Sequence, residues 1–321
     1  TSQTGISNSG YYVCDRWRVG INTSGRSTLS QDSSAPSGFA NSLKLACTTA
    51  DTSIAADEVF SLQHKIEGQN LQGFAKGSSD AKPFAVSFYV KGNASATFVC
   101  ELLDNDNSRQ ISKTFNVTTD WTRVELSFPA DTTGAFDDDN ASSLTMILWL
   151  HGGSTFTSGT LNSSAWASST NANRAVGISS FFDSTDRTFF ITGVQLEVGQ
   201  NPTEFEHEPF DVTLRKCYRY FQKQSYISGT YVNVCYAYDT GSSRAVQYYA
   251  PKLKNPTITT SGTLSVYHSA GDIDVPTNQY HDLGLESCRL TVTLSGESTT
   301  AGYAMATYTT TAYDILIDAE L

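Results

Sequence analysis

Apolar and polar side chains alternate in segments along the whole chain. In residues 121–128, Val124, Leu126 and Phe128 alternate with polar residues. A period of two is typical of a strand with one buried and one solvated face. The same period marks four further segments: Val86/Phe88/Val90, Val194/Leu196/Val198, Leu290/Val292/Leu294 and Ile315/Ile317. The pattern therefore predicts strands in both halves of the chain.

Stretches rich in Asp, Asn and Gly separate these strands and favour tight turns. Examples are residues 104–107, residues 137–140 and Gly271-Asp272. Many strands, regular turns and little helix predict an all-β fold built as an antiparallel sandwich. No repeat of about 20 to 50 residues recurs, which argues against a propeller or a solenoid.

One helical pattern interrupts the strands. Leu214, Cys217, Tyr218 and Phe221 follow one another at helical spacing, and Asp211 precedes them as the expected N-cap.

A polar stretch with two prolines, residues 201–209, precedes this helix. We therefore place a domain boundary close to residue 208. This gives a first domain of residues 1–208 and a smaller second β domain of residues 209–321 that opens with one short helix.

Composition narrows the choice of partners. The 321 residues carry a net charge of −11, so the chain is a poor ligand for phosphate backbones or anionic lipid, and we expect neither nucleic acid nor membrane as a partner. No apolar run approaches the roughly 18 residues of a membrane span. The first residues are not a secretory signal, and the absence of an initiator Met predicts a longer precursor.

Metal and thiol chemistry leave weak signals. The six cysteines form no CxxC pair and have no histidine at ligand spacing, so no zinc site is indicated. We expect buried free thiols, with disulfides as the alternative. The acidic clusters at 104–107 and 137–140 are ordinary turns by default; Ca²⁺ is the alternative, although neither cluster fits an EF-hand loop. We expect no other cofactor.

Residues 189–199, followed by residues 202–206, resemble the closing strand of jelly-roll domains in bacteriophage virion proteins, which are related to carbohydrate-binding modules. Residues 62–68, 88–92 and 115–124 and the loop carrying Trp166 extend the resemblance over most of residues 10–208. Residues 217–221 and 255–262 and the C-terminal Ala319-Glu320-Leu321 resemble the C-terminal region of the same phage proteins. The resemblance implies a tail-fibre or capsid-fibre type of virion surface protein.

A glycan site needs an aromatic platform bordered by carboxylate or amide groups. In jelly rolls of this kind the concave face and its rim loops carry the ligand. The resemblance therefore implies the glycan-binding candidates Tyr89, Glu101, Asp104, Trp149, His151 and Trp166. Trp149 fits either the core or the concave face, and Trp166 fits either a ligand or its own domain. Trp17 and Trp121 are predicted to be structural.

The favoured function is a fibre on the phage particle surface that binds a host-surface polysaccharide and contacts other virion proteins. By analogy with phage fibres, a homotrimer is expected, held together through the C-terminal domain. The alternative is a capsid-decorating or connecting protein without a sugar site. A polysaccharide depolymerase is the weakest hypothesis, because a tailspike hydrolase would bring a long parallel β-helix that this length and pattern do not show. The sequence also has no nucleophile elbow, phosphate loop or HExxH helix. We therefore predict that the protein is not an enzyme.

Overall fold

The computed structural model describes residues 2–268, 271–275, 277–294 and 299–321. It divides into two compact units, Thr1–His207 and Glu208–Leu321. Both units are built from antiparallel strands, so the all-β prediction is confirmed. No helix among the described residues has the length and apolar character needed to cross a membrane.

The first unit contains thirteen strands. In chain order they are β1 (Ser2–Ile6), β2 (Gly10–Tyr11), β3 (Trp17–Asn22), β4 (Arg26–Asp32), β5 (Ser42–Thr49), β6 (Val59–Glu67), β7 (Phe84–Gly92), β8 (Ala96–Asp104), β9 (Arg109–Val117), β10 (Thr122–Phe128), β11 (Ser142–Gly152), β12 (Ala167–Ser168) and β13 (Thr188–Val198). Its helical turns are α1 (Ser154–Thr157) and the 3₁₀ segments Gly68–Asn70, Gln72–Phe74 and Asn171–Asn173.

These strands form the jelly-roll sandwich of two sheets. Sheet A has the order β1-β4-β5-β13-β7-β10, and sheet B has the order β12-β9-β8-β11-β6-β3-β2. Strand β10 shows how the alternation works, because Val124, Leu126 and Phe128 are buried while Glu125 and Ser127 are exposed. The inward apolar side chains of both sheets make one continuous core, in which aromatic rings pack against each other.

The described residues of the second unit form ten strands. They are β14 (Phe221–Tyr226), β15 (Tyr231–Ala237), β16 (Ser242–Tyr248), β17 (Thr257–Ser261), β18 (Leu264–His268), β19 (Gly271–Asp274), β20 (Thr277–His281), β21 (Ser287–Thr293), β22 (Ala304–Thr309) and β23 (Tyr313–Asp318). Sheet C has the order β14-β23-β17, and sheet D has the order β19-β18-β22-β15-β16-β21-β20. Two small apolar clusters lie inside this unit.

Two local predictions need correction. Helix α2 (Phe210–Tyr218) has Pro209 as its N-cap, so Asp211 lies inside the first turn, where its negative charge suits the helix dipole. Phe221 begins strand β14 instead of continuing the helix. The predicted turn at Gly271-Asp272 is the start of strand β19, because these residues pair with the end of β18.

The cysteines behave mainly as predicted. None of the six, all of which lie in the described part of the chain, forms a disulfide. Four are buried, Cys217 is half-buried and Cys14 is exposed. Burial raises the pKa of the Cys288 thiol to about 11, so this sulfur stays protonated at neutral pH.

Candidate functional site

The outer face of sheet B is the face directed away from the sandwich core. Antiparallel pairing places Glu101 opposite Ile147, Ile147 opposite Gln63, Gln63 opposite Arg18, and Arg18 opposite Tyr11. These five residues form one row across five strands, because residues directly opposite each other in a sheet share a face. The next row contains Val99, Trp149, Ser61 and Gly20.

The predicted candidates do not form one group. Glu101 and Trp149 share the outer face of sheet B. A bulge between Trp149 and His151 pairs His151 with the core residue Phe60, so its ring lies on the inner side, 5.5 Å from the ring of Phe182. Tyr89 lies on the other sheet, where its half-buried ring packs 5.4 Å from the ring of Phe39. Its grouping with the other candidates is therefore wrong.

Trp149 is not an open platform. Its ring is 3% exposed and packs against Phe156 at 5.0 Å between ring centroids, in a small cluster separate from the main core. The guanidinium of Arg174 lies over the same ring, 5.0 Å from its centroid. The segment between β11 and β13 thus folds back over this part of sheet B and covers the tryptophan.

The buried carboxylate of Glu101 binds both Trp149 and Arg174. Its carboxylate accepts a hydrogen bond from Nε1 of Trp149 (2.7 Å) and bonds from Nε (2.9 Å) and Nη2 (3.1 Å) of Arg174. Burial raises the pKa of Glu101, and the Arg174 charge opposes that rise. Because all three groups satisfy one another, this cluster has a structural explanation and needs no ligand.

Trp166 is also covered. Its side chain is 7% exposed, its ring lies 5.4 Å from that of Phe84, and its Nε1 donates to the carbonyl of Pro129 at 2.9 Å. Of the two alternatives, the partner of this loop tryptophan is its own domain. The expectation of a ring open to a saccharide is therefore not met at either candidate tryptophan.

Asp104 is engaged by a lysine. The fully buried Nζ of Lys76 lies 2.6 Å from Oδ2 of Asp104 and 3.1 Å from Oδ2 of Asp131, and it donates to the carbonyls of Thr133 (3.0 Å) and Gly134 (2.7 Å). This ammonium group occupies the centre of an oxygen-rich pocket. The carboxylate of Asp104 is therefore already neutralised, which argues against Ca²⁺ there.

The second acidic cluster consists of turns. Asp139 accepts a hydrogen bond from the N–H of Ala141 (2.8 Å), and Asp106 accepts one from the N–H of Asp137 (3.0 Å). The first is the Asx contact expected by default from the sequence, and the second joins the two acidic clusters across the fold.

One half of the outer face of sheet B stays open. On strands β8 and β11 the outward side chains of Glu101, Ile147 and Trp149 are buried. On β6 and β3 the outward side chains of Gln63 and Arg18 are only half-buried. Nη1 of Arg18 donates to Oε1 of Gln63 (2.9 Å), and Nε2 of Gln63 lies 3.0 Å from Oγ of Ser61.

Gly20 forms the floor beside these groups, since a Cβ there would lie 2.5 Å from Nε2 of Gln63 and 2.8 Å from Oγ of Ser61. Arg18 forms no ion pair with any described carboxylate, so most of its five N–H donors can bind another molecule. The result is a polar strip, Arg18, Gly20, Ser61 and Gln63, bordered by Tyr11.

The sequence did not reveal this strip. Arg18, Ser61 and Gln63 lie far apart in the chain, and only the pairing of β3 with β6 brings them together. The one usable signal was that polar side chains alternate with apolar ones in both segments.

No known protein family and no curated protein matches the sequence. Among solved structures, the family 11 carbohydrate-binding module from Clostridium thermocellum, in complex with a β-1,3-1,4-mixed-linked tetrasaccharide, is similar with a TM-score of 0.31 and 10% identity over 62% of this chain and 96% of that chain. A family 30 carbohydrate-binding module is similar with a TM-score of 0.30 and 15% identity, over 65% of this chain and 90% of that chain.

The N-terminal cellulose-binding domain of Cellulomonas fimi β-1,4-glucanase C is similar with a TM-score of 0.30 and 14% identity, over 57% of this chain and 88% of that chain. TM-scores near 0.3 say nothing about what this chain binds.

Proposed function

We propose that this chain is a non-catalytic glycan-binding protein on the surface of a bacteriophage particle, and that the polar strip on sheet B contacts a host-surface polysaccharide. The observation that carries the proposal is the hydrogen bond between the half-buried side chains of Arg18 and Gln63 on the outer face of sheet B, next to the buried hydroxyl of Ser61. The sequence resemblance to phage jelly-roll proteins supports the virion placement.

The chemistry of the strip suits a sugar. Saccharides present many hydroxyl groups, which bind guanidinium and amide groups held in fixed positions. The hydrogen bond between Arg18 and Gln63 orients both side chains before a ligand arrives, which reduces the entropy lost on binding. Tyr11 at the border adds an aromatic side chain with a polar tip.

The test uses the full chain on an array of bacterial surface polysaccharides. We expect wild-type binding, and a loss of about tenfold or more in affinity for Arg18→Ala and for Gln63→Ala. Gln31→Ala is the matched control, because Gln31 is an exposed glutamine on sheet A and its loss should change nothing. A silent wild type, or variants that bind as tightly as wild type, would contradict this site.

Two further measurements address the rest of the proposal. Labelling of intact phage particles with an antibody against this chain should decorate the particle surface. Incubation with a bound polysaccharide should release no reducing ends. Released reducing ends would restore the depolymerase hypothesis.

A second candidate function, particle assembly, is favoured by the outer face of sheet D. Val234 is 81% exposed and Tyr248 is 70% exposed there, next to the exposed side chains of Tyr236 and Val246. A groove of about 580 Å³ runs between them. Such an exposed apolar face on one sheet marks an interaction surface.

We propose that other copies of this chain cover this face, in keeping with the homotrimer expected from phage fibres. The guanidinium groups of Arg244 and Arg289 line the same groove, and a neighbouring subunit of this acidic chain carries carboxylates that suit them.

Size-exclusion chromatography with light scattering tests this assembly. We expect a trimer for wild type and a smaller species for Val234→Asp. Val198→Asp, at a 47% exposed valine in the first unit, is the control and should leave the mass unchanged. A monomeric wild type at micromolar concentration would contradict the assembly role without affecting the glycan site.

A further inference from the structure

Three metal-ligating side chains meet at one end of the sandwich of the first unit. Asp51 lies two residues after β5, Glu58 immediately precedes β6, and His151 is the next-to-last residue of β11. One ligand atom from each lies within 4.8 Å of the other two. Three separate segments of the chain thus bring an imidazole and two carboxylates to one point.

The histidine of this group is oriented from both sides. Its side chain is fully buried, Nε2 lies 3.1 Å from Oε2 of Glu58, and Nδ1 lies 2.8 Å from Oγ of Ser180. Ser180 Oγ is itself fixed by the N–H of Phe182 at 3.1 Å. Histidines that bind metals usually bind through one nitrogen while the other is hydrogen-bonded in this way.

The two carboxylates differ from three other buried carboxylates of the sandwich, each of which has a basic partner. Glu101 has Arg174, Asp104 has Lys76, and Asp131 has Arg109 as a basic partner.

Asp51 is 4% exposed and the side chain of Glu58 is 12% exposed, yet within the described residues neither forms an ion pair with a lysine or arginine. Buried charges are normally paired or bound to a metal. Asp51 accepts hydrogen bonds from Oγ1 of Thr23 (2.5 Å) and the N–H of Ser24 (3.1 Å), which orient its carboxylate without bringing a positive charge to the pair.

We propose that Asp51, Glu58 and His151 bind one Zn²⁺ ion that ties the β5–β6 loop to the end of β11. One imidazole nitrogen and two carboxylate oxygens are donors that zinc accepts. Tetrahedral ligands about 2.0–2.1 Å from zinc lie roughly 3.4 Å apart, so atoms already within 4.8 Å need only small side-chain rotations. The fourth position is left for water.

This proposal does not depend on glycan binding. The site lies at the end of the sheet, built on loop residues and on His151, whereas the polar strip is formed by β3 and β6. A failed glycan assay therefore leaves the zinc assignment intact, and the converse also holds.

The test uses the full, untagged chain, stripped with EDTA, incubated with Zn²⁺, dialysed and analysed for metal by mass spectrometry. We expect about one zinc per chain and a higher melting temperature with zinc than without, since a ligand that binds only the folded state stabilises it. Glu58→Gln keeps the shape of the side chain and should lose most of the bound zinc. His151→Ala should lose it entirely.

His64→Ala is the matched control, because His64 is another histidine of the same sandwich but contacts Trp17 instead of carboxylates. It should retain the zinc. Circular dichroism confirms that each variant is folded. No stoichiometric zinc in wild type, equal zinc in the His64 and His151 variants, or stoichiometric Mn²⁺ or Ca²⁺ in place of zinc would overturn the assignment.

Discussion

The guanidinium of Arg174 lies 5.0 Å from the centroid of the Trp149 ring, where a ligand would stack if that ring were open. The same arginine binds Glu101 beneath the ring. The face of the Trp149 ring is thus covered by Arg174, a side chain from a distant part of the sequence. This moves the candidate ligand surface to the neighbouring half of sheet B.

Removal of Arg174 should destabilise the first unit strongly. In Arg174→Ala the carboxylate of Glu101 stays buried without its basic partner, which typically costs about 3–5 kcal/mol. The free energy of unfolding in urea, followed by tryptophan fluorescence, measures the loss. Arg187→Ala is the control, because its pair with Asp183 is on the surface and is worth about 1 kcal/mol or less. Equal losses for the two variants would contradict the buried cluster.

Replacement of Lys76 should destabilise the first unit about as much as replacement of Arg174. Lys76→Met preserves the length of the side chain but leaves Asp104 without its ammonium partner, and we expect a loss of about 3–5 kcal/mol in the free energy of unfolding. Lys44→Met, which breaks a partly exposed pair with Asp32, should cost about 1 kcal/mol or less. A mild effect of Lys76→Met would mean that the ammonium does not neutralise this pocket. Thermal unfolding of both variants makes the comparison.

Trp166 should act through stability and not through a ligand. Trp166→Ala removes a buried ring packed on Phe84, and such a deletion costs about 3–5 kcal/mol. Polysaccharide affinity, measured at a temperature where the variant is folded, should equal that of wild type. An affinity loss in a fully folded variant would return Trp166 to the binding site. Trp121→Ala, at a half-buried ring, should destabilise less.

His64 predicts a specific pH dependence. Burial, with help from the Arg16 charge, lowers the pKa of His64 to about 4 from its ordinary value of 6.5. Its Nδ1 is buried and has no hydrogen-bond partner among the residues that the structure describes. As pH falls, the unfolded chain therefore takes up a proton before the folded one. The stability from this group is complete above about pH 6.5 and is lost progressively down to about pH 4.

His64→Phe tests this, because it keeps a ring beside Trp17 but cannot take up a proton. The difference in free energy of unfolding between variant and wild type should change between pH 6.5 and 4 in favour of the variant. His207→Ala, at an exposed histidine, should show no such change. A constant difference across this range would mean that His64 takes up a proton equally well in the folded state.

The strands could be predicted because each signal is local. In β10 the side chains of Val124, Leu126 and Phe128 alternate with polar neighbours, and one strand of seven residues contains the whole pattern. Helix α2 was predicted for the same reason. Its ends were not, because Pro209 determines where it starts and the pairing of Phe221 with Asp318 determines where it stops.

The candidate site could be predicted only in part. Pairing of β8 with β11 places Glu101 and Trp149 on one face of sheet B, where the sequence analysis had grouped them. Their burial depends on Arg174, which is 73 residues from Glu101, and no local pattern reports such a contact. The group of Asp51, Glu58 and His151 was missed for the same reason. Glu58 and His151 come close only because the start of β6 pairs with the end of β11.

The sequence by itself determined that this chain is all-β and where five of its strands run, because the period of side chains along a strand depends only on neighbouring residues. Only the tertiary structure decided which tryptophans are covered, which charges are neutralised and which polar side chains remain open. Strand order and the returning segment between β11 and β13 set those distances, and both join residues that are far apart in the chain.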